Sequence, residues 1–137
     1  MITLCFNMHA SYRPRMMAFA VQEKSYSRTL FEYASECILA VPGEDIANET
    51  LYCGEETGRE VNKVEECNFQ LCKSSRISVP GLKQAIANIQ VRITNKVVSG
   101  DHLTVLGEVL EYSVNTKKKE RNLVSVEIGR ASCRERV

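Results

Sequence analysis

The stretch "AIANIQVRITNKVVSGDHLTVLGEVLEYSV", residues 85–114, decides the fold. From Ala85 to Ile93 the odd positions are Ala, Ala, Ile, Val and Ile, while Asn88, Gln90, Arg92 and Thr94 take the even ones. That alternation is the period of a strand. Beyond Ser99-Gly100-Asp101, the residues Leu103, Val105, Gly107 and Val109 share one parity, and His102, Thr104, Glu108 and Tyr112 share the other. A three-residue loop at 99–101 pairs Val91 with Val109 and Ile93 with Gly107, which keeps the two apolar faces together. The turn has two readings. Its residues are ordinary turn formers and His102 is the first strand residue, or the turn leans over a bound ligand.

Outward from this hairpin the remaining elements are short. "MITLCF" reads as strand from its first residue, and "MMAFAVQ" (16–22) as a strand buried on both faces or a barrel wall. "KSYSRTLFEYASEC" (24–37) places Leu30, Tyr33, Ala34 and Cys37 at helical spacing behind the cap candidates Ser25 and Ser27. "CILAVP" is a buried strand ended by Pro42. "GEDIANETLYCG" is a helix with an acidic start and Gly54 as its stop. "EETGREVNKVEEC" is a loop with solvated charges that leads into a short helix, and Pro80-Gly81 marks a turn. "NLVSVEI" (122–128) is the last strand. About six strands and two or three helices make a mainly β chain, a small barrel with helices inserted between strands.

The chain has 137 residues, 44% hydrophobic and 26% charged, with a net charge of +1. These values suit one globular domain and argue against a general nucleic-acid binder, which needs a broad basic field and, for a single strand, stacked aromatics. The longest apolar runs fall far short of the about 20 residues of a membrane helix. No signal peptide pattern opens the chain, so a cytoplasmic address is expected. The cysteines at 5, 37, 53, 67, 72 and 133 form no C-x-x-C pair. No metal site is expected, and the thiols are expected to be reduced. Nothing visible lowers the pKa of Cys53, so a cysteine hydrolase is not supported. From about Gly129 the composition shifts abruptly to Arg, Cys and Ser. The expected domain is therefore 1–128, with 129–137 as a non-native or disordered tail.

Three stretches carry chemistry. "ITLCFNMHASYRPR" (2–15) interleaves Thr3, Asn7, His9 and Ser11 with apolar residues ahead of Pro14. It fits a strand that presents hydrogen bonds to a planar heterocycle, or an edge strand with exposed polar positions. "EKSYSRT" (23–29) combines Lys24, Ser25 and Ser27 with a helix N-terminus, which suits one phosphate or simply caps the helix. Asp101-His102 is the third. No dinucleotide or P-loop fingerprint is present.

Taken in order, "MITLCFNMHASYRPRMMAFAV", "KSYSRTL", "LYCGEETGREVNKVEEC", "SVPGLKQAIANIQVRI" and "SGDHLTVLGEV" resemble the flavin reductase-like, FMN-binding split-barrel family, especially its flavoredoxin-type branch. The resemblance covers about residues 1–126. It implies a Greek-key split β-barrel, a homodimer, and one FMN per subunit near the interface. It places Thr3, Cys5, Asn7, Met8, His9 and Ser11 along the flavin and its phosphate tail, and Lys24, Ser25 and Ser27 at the phosphate. It puts Gly100-Asp101-His102 near the flavin or nicotinamide side, with His102 as a substrate-side group. The implied activity is FMN-dependent oxidoreduction with NAD(P)H or a redox partner protein; the alternative is a non-enzymatic electron carrier using the same pocket. The chain departs from the pattern at Pro14-Arg15 (usually two prolines), at Asn62 (an acid) and at Val64 (an aromatic). The family has at least one more strand before the position of Met1, so an N-terminally truncated domain is expected.

Overall fold

The computed structural model describes residues 1–123. Most of the expected last strand (124–128) and the expected tail lie outside the described residues. The strands are β1 (Asn7–Tyr12), β2 (Arg15–Gln22), β3 (Glu36–Val41), β4 (Leu71–Cys72), β5 (Gly81–Leu82), β6 (Ala87–Ser99) and β7 (His102–Val114). The helices are α1 (Tyr26–Tyr33), α2 (Ala47–Glu55) and α3 (Lys63–Glu66), with a single 3-10 turn at Glu44–Ile46. Five strands form one antiparallel sheet in the order β1-β2-β7-β6-β3, and β4 pairs with β5. The chain is mainly β, as its alternation predicts. The passage from β2 through α1 to β3 skips the two sheet positions later filled by β7 and β6.

The β6–β7 hairpin pairs Val91 with Val109 and Ile93 with Gly107 as expected, but by another route. Ser99 faces His102, so the loop has two residues, with Gly100 at φ +64°. Such a turn needs positive φ, which glycine adopts without a Cβ penalty. A one-residue bulge at Thr94 then restores the predicted register. The even face is covered at its first half, while Arg92 and Thr94 stay exposed. Asn88 and Gln90 are buried because segment 74–82 folds over them. The Asn88 side chain both accepts from the Leu82 N–H (2.8 Å) and donates to its carbonyl (2.9 Å). Gln90 accepts from the Arg76 N–H (2.8 Å) and donates to the Ser75 hydroxyl (3.1 Å).

The same segment is held from β3, where the Glu36 carboxylate accepts from the Ser78 N–H (3.0 Å) and hydroxyl (2.8 Å). These donors, aided by Arg92, hold the Glu36 carboxyl below its ordinary pKa. A depressed folded pKa stabilises above the unfolded value, and that contribution is lost as pH falls through the folded one. Glu36→Gln is therefore expected to be less stable than wild type near neutrality, with the gap closing in acid, measured by urea unfolding across pH.

Several boundaries differ from expectation. Residues 1–6 are not strand. Only the Phe6 carbonyl joins the sheet, accepting from the Ala20 N–H (3.0 Å), while the Thr3 hydroxyl donates to the Thr50 carbonyl (2.5 Å) and docks the segment on α2. Only one face of β2 is fully buried, through Met17, Phe19 and Val21. Helix α1 ends at Tyr33, so Cys37 belongs to β3. The Lys96 ammonium donates to the Glu32 (3.1 Å) and Ala34 (2.8 Å) carbonyls at that end. A cation there satisfies unpaired carbonyls and meets the negative end of the helix dipole. Lys96→Met is expected to lose about 1 kcal/mol in chemical unfolding. Gly54 lies inside α2 and does not stop it. Pro80-Gly81 leads into β5, and the turn follows at Lys83 and Gln84. The Asn122 and Leu123 backbone pairs along Pro42–Glu44, where the predicted last strand begins.

Phe19, Val21, Cys37, Val91, Leu103 and Val105 form the main core. A second cluster of Ile46, Cys53, Phe69, Leu82 and Ala85 lies under α2, with Val64 and Cys67 packed against it.

Candidate functional site

Three parts of the chain meet at the ends of β2 and β7. Gln22 pairs with His102, and the Glu23 N–H donates to the Asp101 carbonyl (2.8 Å), so the hairpin tip is tied to the loop before α1. The N-terminal segment closes the third side. A cavity of about 70 Å³ lies between them, lined by Thr3, Cys5, Phe6, Gln22, Gly54 and His102 among others. Glycine at 54 lets Thr3 approach: a Cβ there would stand 3.3 Å from the threonine Cβ. His102 is half-buried. Its Nδ1 lies 2.7 Å from the Asp101 carboxylate, and its ring meets the Phe6 ring edge-on at 5.3 Å. The hairpin thus leans over a cavity.

Next to this cavity is the start of α1. The Ser25 hydroxyl accepts from the Arg28 N–H (3.2 Å) and donates to the Gln22 carbonyl (2.8 Å), so it serves as the helix cap. Lys24 is exposed, and neither it nor Arg59 forms an ion pair among the described residues. Arg28 is partly neutralised by Glu23 at 2.9 Å. The Arg59 guanidinium sits 5.0 Å over the ring of Tyr26, the first residue of α1.

The expected site residues therefore separate. Thr3, Cys5 and His102 line the cavity, and Lys24, Ser25 and Ser27 stand beside it. Asn7, Met8, His9 and Ser11 lie on β1, which runs away from the cavity along β2. Of these only Ser11 is even half-covered, and His9 stacks on Tyr12. Sequence reading missed Arg59, Phe6 and Gly54. The charges of 55–67, expected to be solvated, include one that is not: Lys63 is buried, while Arg59 stays exposed and stacks on Tyr26. The spacing of "TGREVNK" contains no periodic signal that would show this.

A larger cleft of about 430 Å³, within the range of ligand pockets, lies between Met1 and residues 58–64, so Arg59 also borders it. Lys63 donates to the carbonyls of Cys53 (2.7 Å) and Met1 (3.1 Å) and thereby ties the N-terminal segment to the end of α2. Burial pushes the Cys53 thiol up to about 11, so it is mostly protonated at neutral pH and is not the activated thiol of a cysteine hydrolase. Among the described residues no group of three or more His, Cys, Asp or Glu side chains could hold a metal ion. No helix there is long and apolar enough to cross a membrane.

The sequence matches the model of the flavin reductase like domain family over residues 1–131. The chain belongs to this family. Flavoredoxin of Desulfovibrio vulgaris (Miyazaki F) superposes with a TM-score of 0.77 at 12% identity, over 85% of this chain and 62% of that one. The FMN-binding protein of Thermus thermophilus gives 0.73 at 21%, over 85% and 64%. The NADH:FAD oxidoreductase SgcE6 of Streptomyces globisporus gives 0.77 at 14%, over 88% and 70%. At these identities the likeness establishes the fold, the split β-barrel of flavin proteins. An uncharacterized protein of Archaeoglobus fulgidus is 29% identical over 100 residues, which is 73% of this chain and 56% of that protein. The chain thus spans less than two thirds of several relatives. Its departures from the family pattern have local roles. Asn62 caps α3 by accepting from the Val64 N–H (3.3 Å), and Val64 packs on the second cluster.

Proposed function

We propose that this flavin reductase-like domain binds FMN and passes hydride or electrons through it. The observation that carries this reading is the convergence of the N-terminal segment, the loop before α1 and the β6–β7 hairpin on one cavity. The start of α1, which follows the cavity-lining Gln22, carries Lys24 and the Ser27 hydroxyl, and Arg59 reaches it over Tyr26; these cationic and polar groups have no carboxylate partner among the described residues. Such a donor set suits a phosphate, and the backbone N–H groups that open α1 add to it. Thr3, Cys5, Phe6 and His102 form the rim that a ring would face. Bound flavin supplies the redox chemistry. The protein anchors the phosphate, excludes water along Phe6 and Val21, and holds His102 through Asp101 with Nε2 as its remaining polar atom. Asn7, Met8, His9 and Ser11 belong to the same proposal through β1. A second copy of the chain laid on β1 would cover its exposed Met8 and Tyr12, and sedimentation equilibrium reads that dimer.

The test is titration of the purified protein with FMN and with FAD, followed by anaerobic addition of NADH or NADPH. Saturable binding, FMN tighter than FAD, and bleaching of the visible flavin band support the oxidoreductase. Bound flavin that bleaches only with a protein donor supports the electron carrier, the reading favoured by the likeness to flavoredoxins. No binding of either flavin ends both readings.

A further inference from the structure

The second core cluster holds two thiols that the flavin reading does not use. Cys53 lies on α2, 4% exposed, and Cys67 is the half-buried residue that ends α3. The Cys67 sulfur stands 3.9 Å from the Glu49 carbonyl. In the ladder of α2 that carbonyl receives the N–H four residues on, which is that of Cys53, and side chains at this spacing share one helix face. Cys67 therefore sits over the face that carries Cys53 and packs against the cluster to which Cys53 belongs, while the Cys53 sulfur lies 3.6 Å from that of Met1. Between them in sequence lies Lys63, only 6% exposed, which donates to the Cys53 and Met1 carbonyls and to no carboxylate among the described residues. A buried ammonium bonded only to neutral carbonyls favours an anion beside it. The Cys53 thiol feels this charge, which opposes part of the rise that burial causes.

We propose that Cys53 and Cys67 form a reversible disulfide site that clamps the loop 54–66. The oxidant is a low-molecular-weight disulfide, for which oxidised glutathione is the probe. The Cys67 thiolate attacks it, one glutathione thiolate leaves, and a mixed disulfide forms on Cys67. Cys53 then gives up its proton, its sulfur attacks Cys67, and the second glutathione leaves as thiolate. Two protein thiols lose two protons and two electrons, one S–S bond is made on the protein, and the oxidant's S–S bond is reduced to two thiols. The order follows from exposure: Cys67 is reachable, whereas Cys53 is enclosed and burial keeps its thiol protonated, so its attack is the slow step and quickens as pH rises. The clamp encloses Arg59 and Lys63, so it acts on the segment that stacks on Tyr26 and holds the N-terminus.

The experiment equilibrates the folded full chain in glutathione buffers of rising potential, alkylates the remaining thiols and maps peptides by mass spectrometry. The expected result is a Cys53–Cys67 disulfide, four alkylatable thiols remaining of the six, and full reversal by dithiothreitol. Trypsin cleavage after Arg59 should then leave two fragments joined on a non-reducing gel. Cys72→Ser should retain the bridge and Cys67→Ser should abolish it. If Cys67→Ser fails to fold, the wild-type map decides alone. Full alkylation of both residues under oxidising conditions, separate glutathione adducts without a bridge, or pairing of either with another cysteine overturns the proposal. None of these outcomes depends on flavin binding.

Discussion

Replacing Gly107 with alanine is expected to lower the melting temperature by about 10 °C, from one added methyl group. Gly107 lies mid-β7, paired with Ile93 on β6 and Met17 on β2. A Cβ built there would stand 2.2 Å from Val91 Cγ1 and 3.0 Å from the Arg92 carbonyl oxygen. Val91 is fully buried and belongs to the main core, so it has no free space to enter, and the carbonyl is part of the sheet backbone. Overpacking of this kind costs about 1–3 kcal/mol, and a contact so short on a central strand belongs at the upper end. A double mutant separates steric overlap from a change in strand propensity. Val91→Ala alone opens a cavity and destabilises, but combined with Gly107→Ala it should lose clearly less than the sum. Strict additivity in thermal unfolding would show that the Val91 contact is not the cause.

Lys63 is the second position of large expected effect. Lys63→Met keeps the aliphatic stem and removes the ammonium, leaving the Cys53 and Met1 carbonyls without their donor. Loss of the donor to buried acceptors costs about 2 kcal/mol. Part of this should appear as local release of residues 1–6, read by hydrogen exchange at Ile2–Phe6. If flavin occupies the proposed rim, re-docking this segment should draw on binding energy and weaken FMN by about 30-fold. Lys63→Glu should do worse, losing at least about 3 kcal/mol, because it sets a buried anion against two carbonyl oxygens. Retention of wild-type exchange at residues 2–6 in Lys63→Met would show that this lysine does not pin the segment.

The hairpin illustrates how far the pattern reaches. Alternation of apolar and polar residues in 85–114 was enough to locate both strands and their facing pairs, because a one-residue slip would turn Val91 and Val109 out of the core. The turn length was wrong by one and the bulge at Thr94 was hidden: it moves the core-facing parity of β6 from Val91 and Ile93 to Lys96, and no apolar residue marks the change. The burial of Asn88 and Gln90 was not legible in the alternation, because it depends on a segment that returns from residues 74–82. The site divides in the same way. Lys24, Ser25 and Ser27 could be put forward as candidates because a helix start has a local signature, whereas Arg59 and Lys63 were hidden in a run of charges.

By itself, then, the order of residues determined β2, β3, the β6–β7 hairpin with its facing pairs, the start of α1 and, through five motifs in series, the flavin reductase-like family. Those features depend on contacts between near neighbours or on periods of two and 3.6. Only the tertiary structure decided that Thr3 docks on α2, that Arg59 reaches Tyr26, that Lys63 is buried, and that Cys53 meets Cys67. Each of those contacts joins residues whose spacing obeys no period. It arises from where loops of unrelated length come to rest on a shared core.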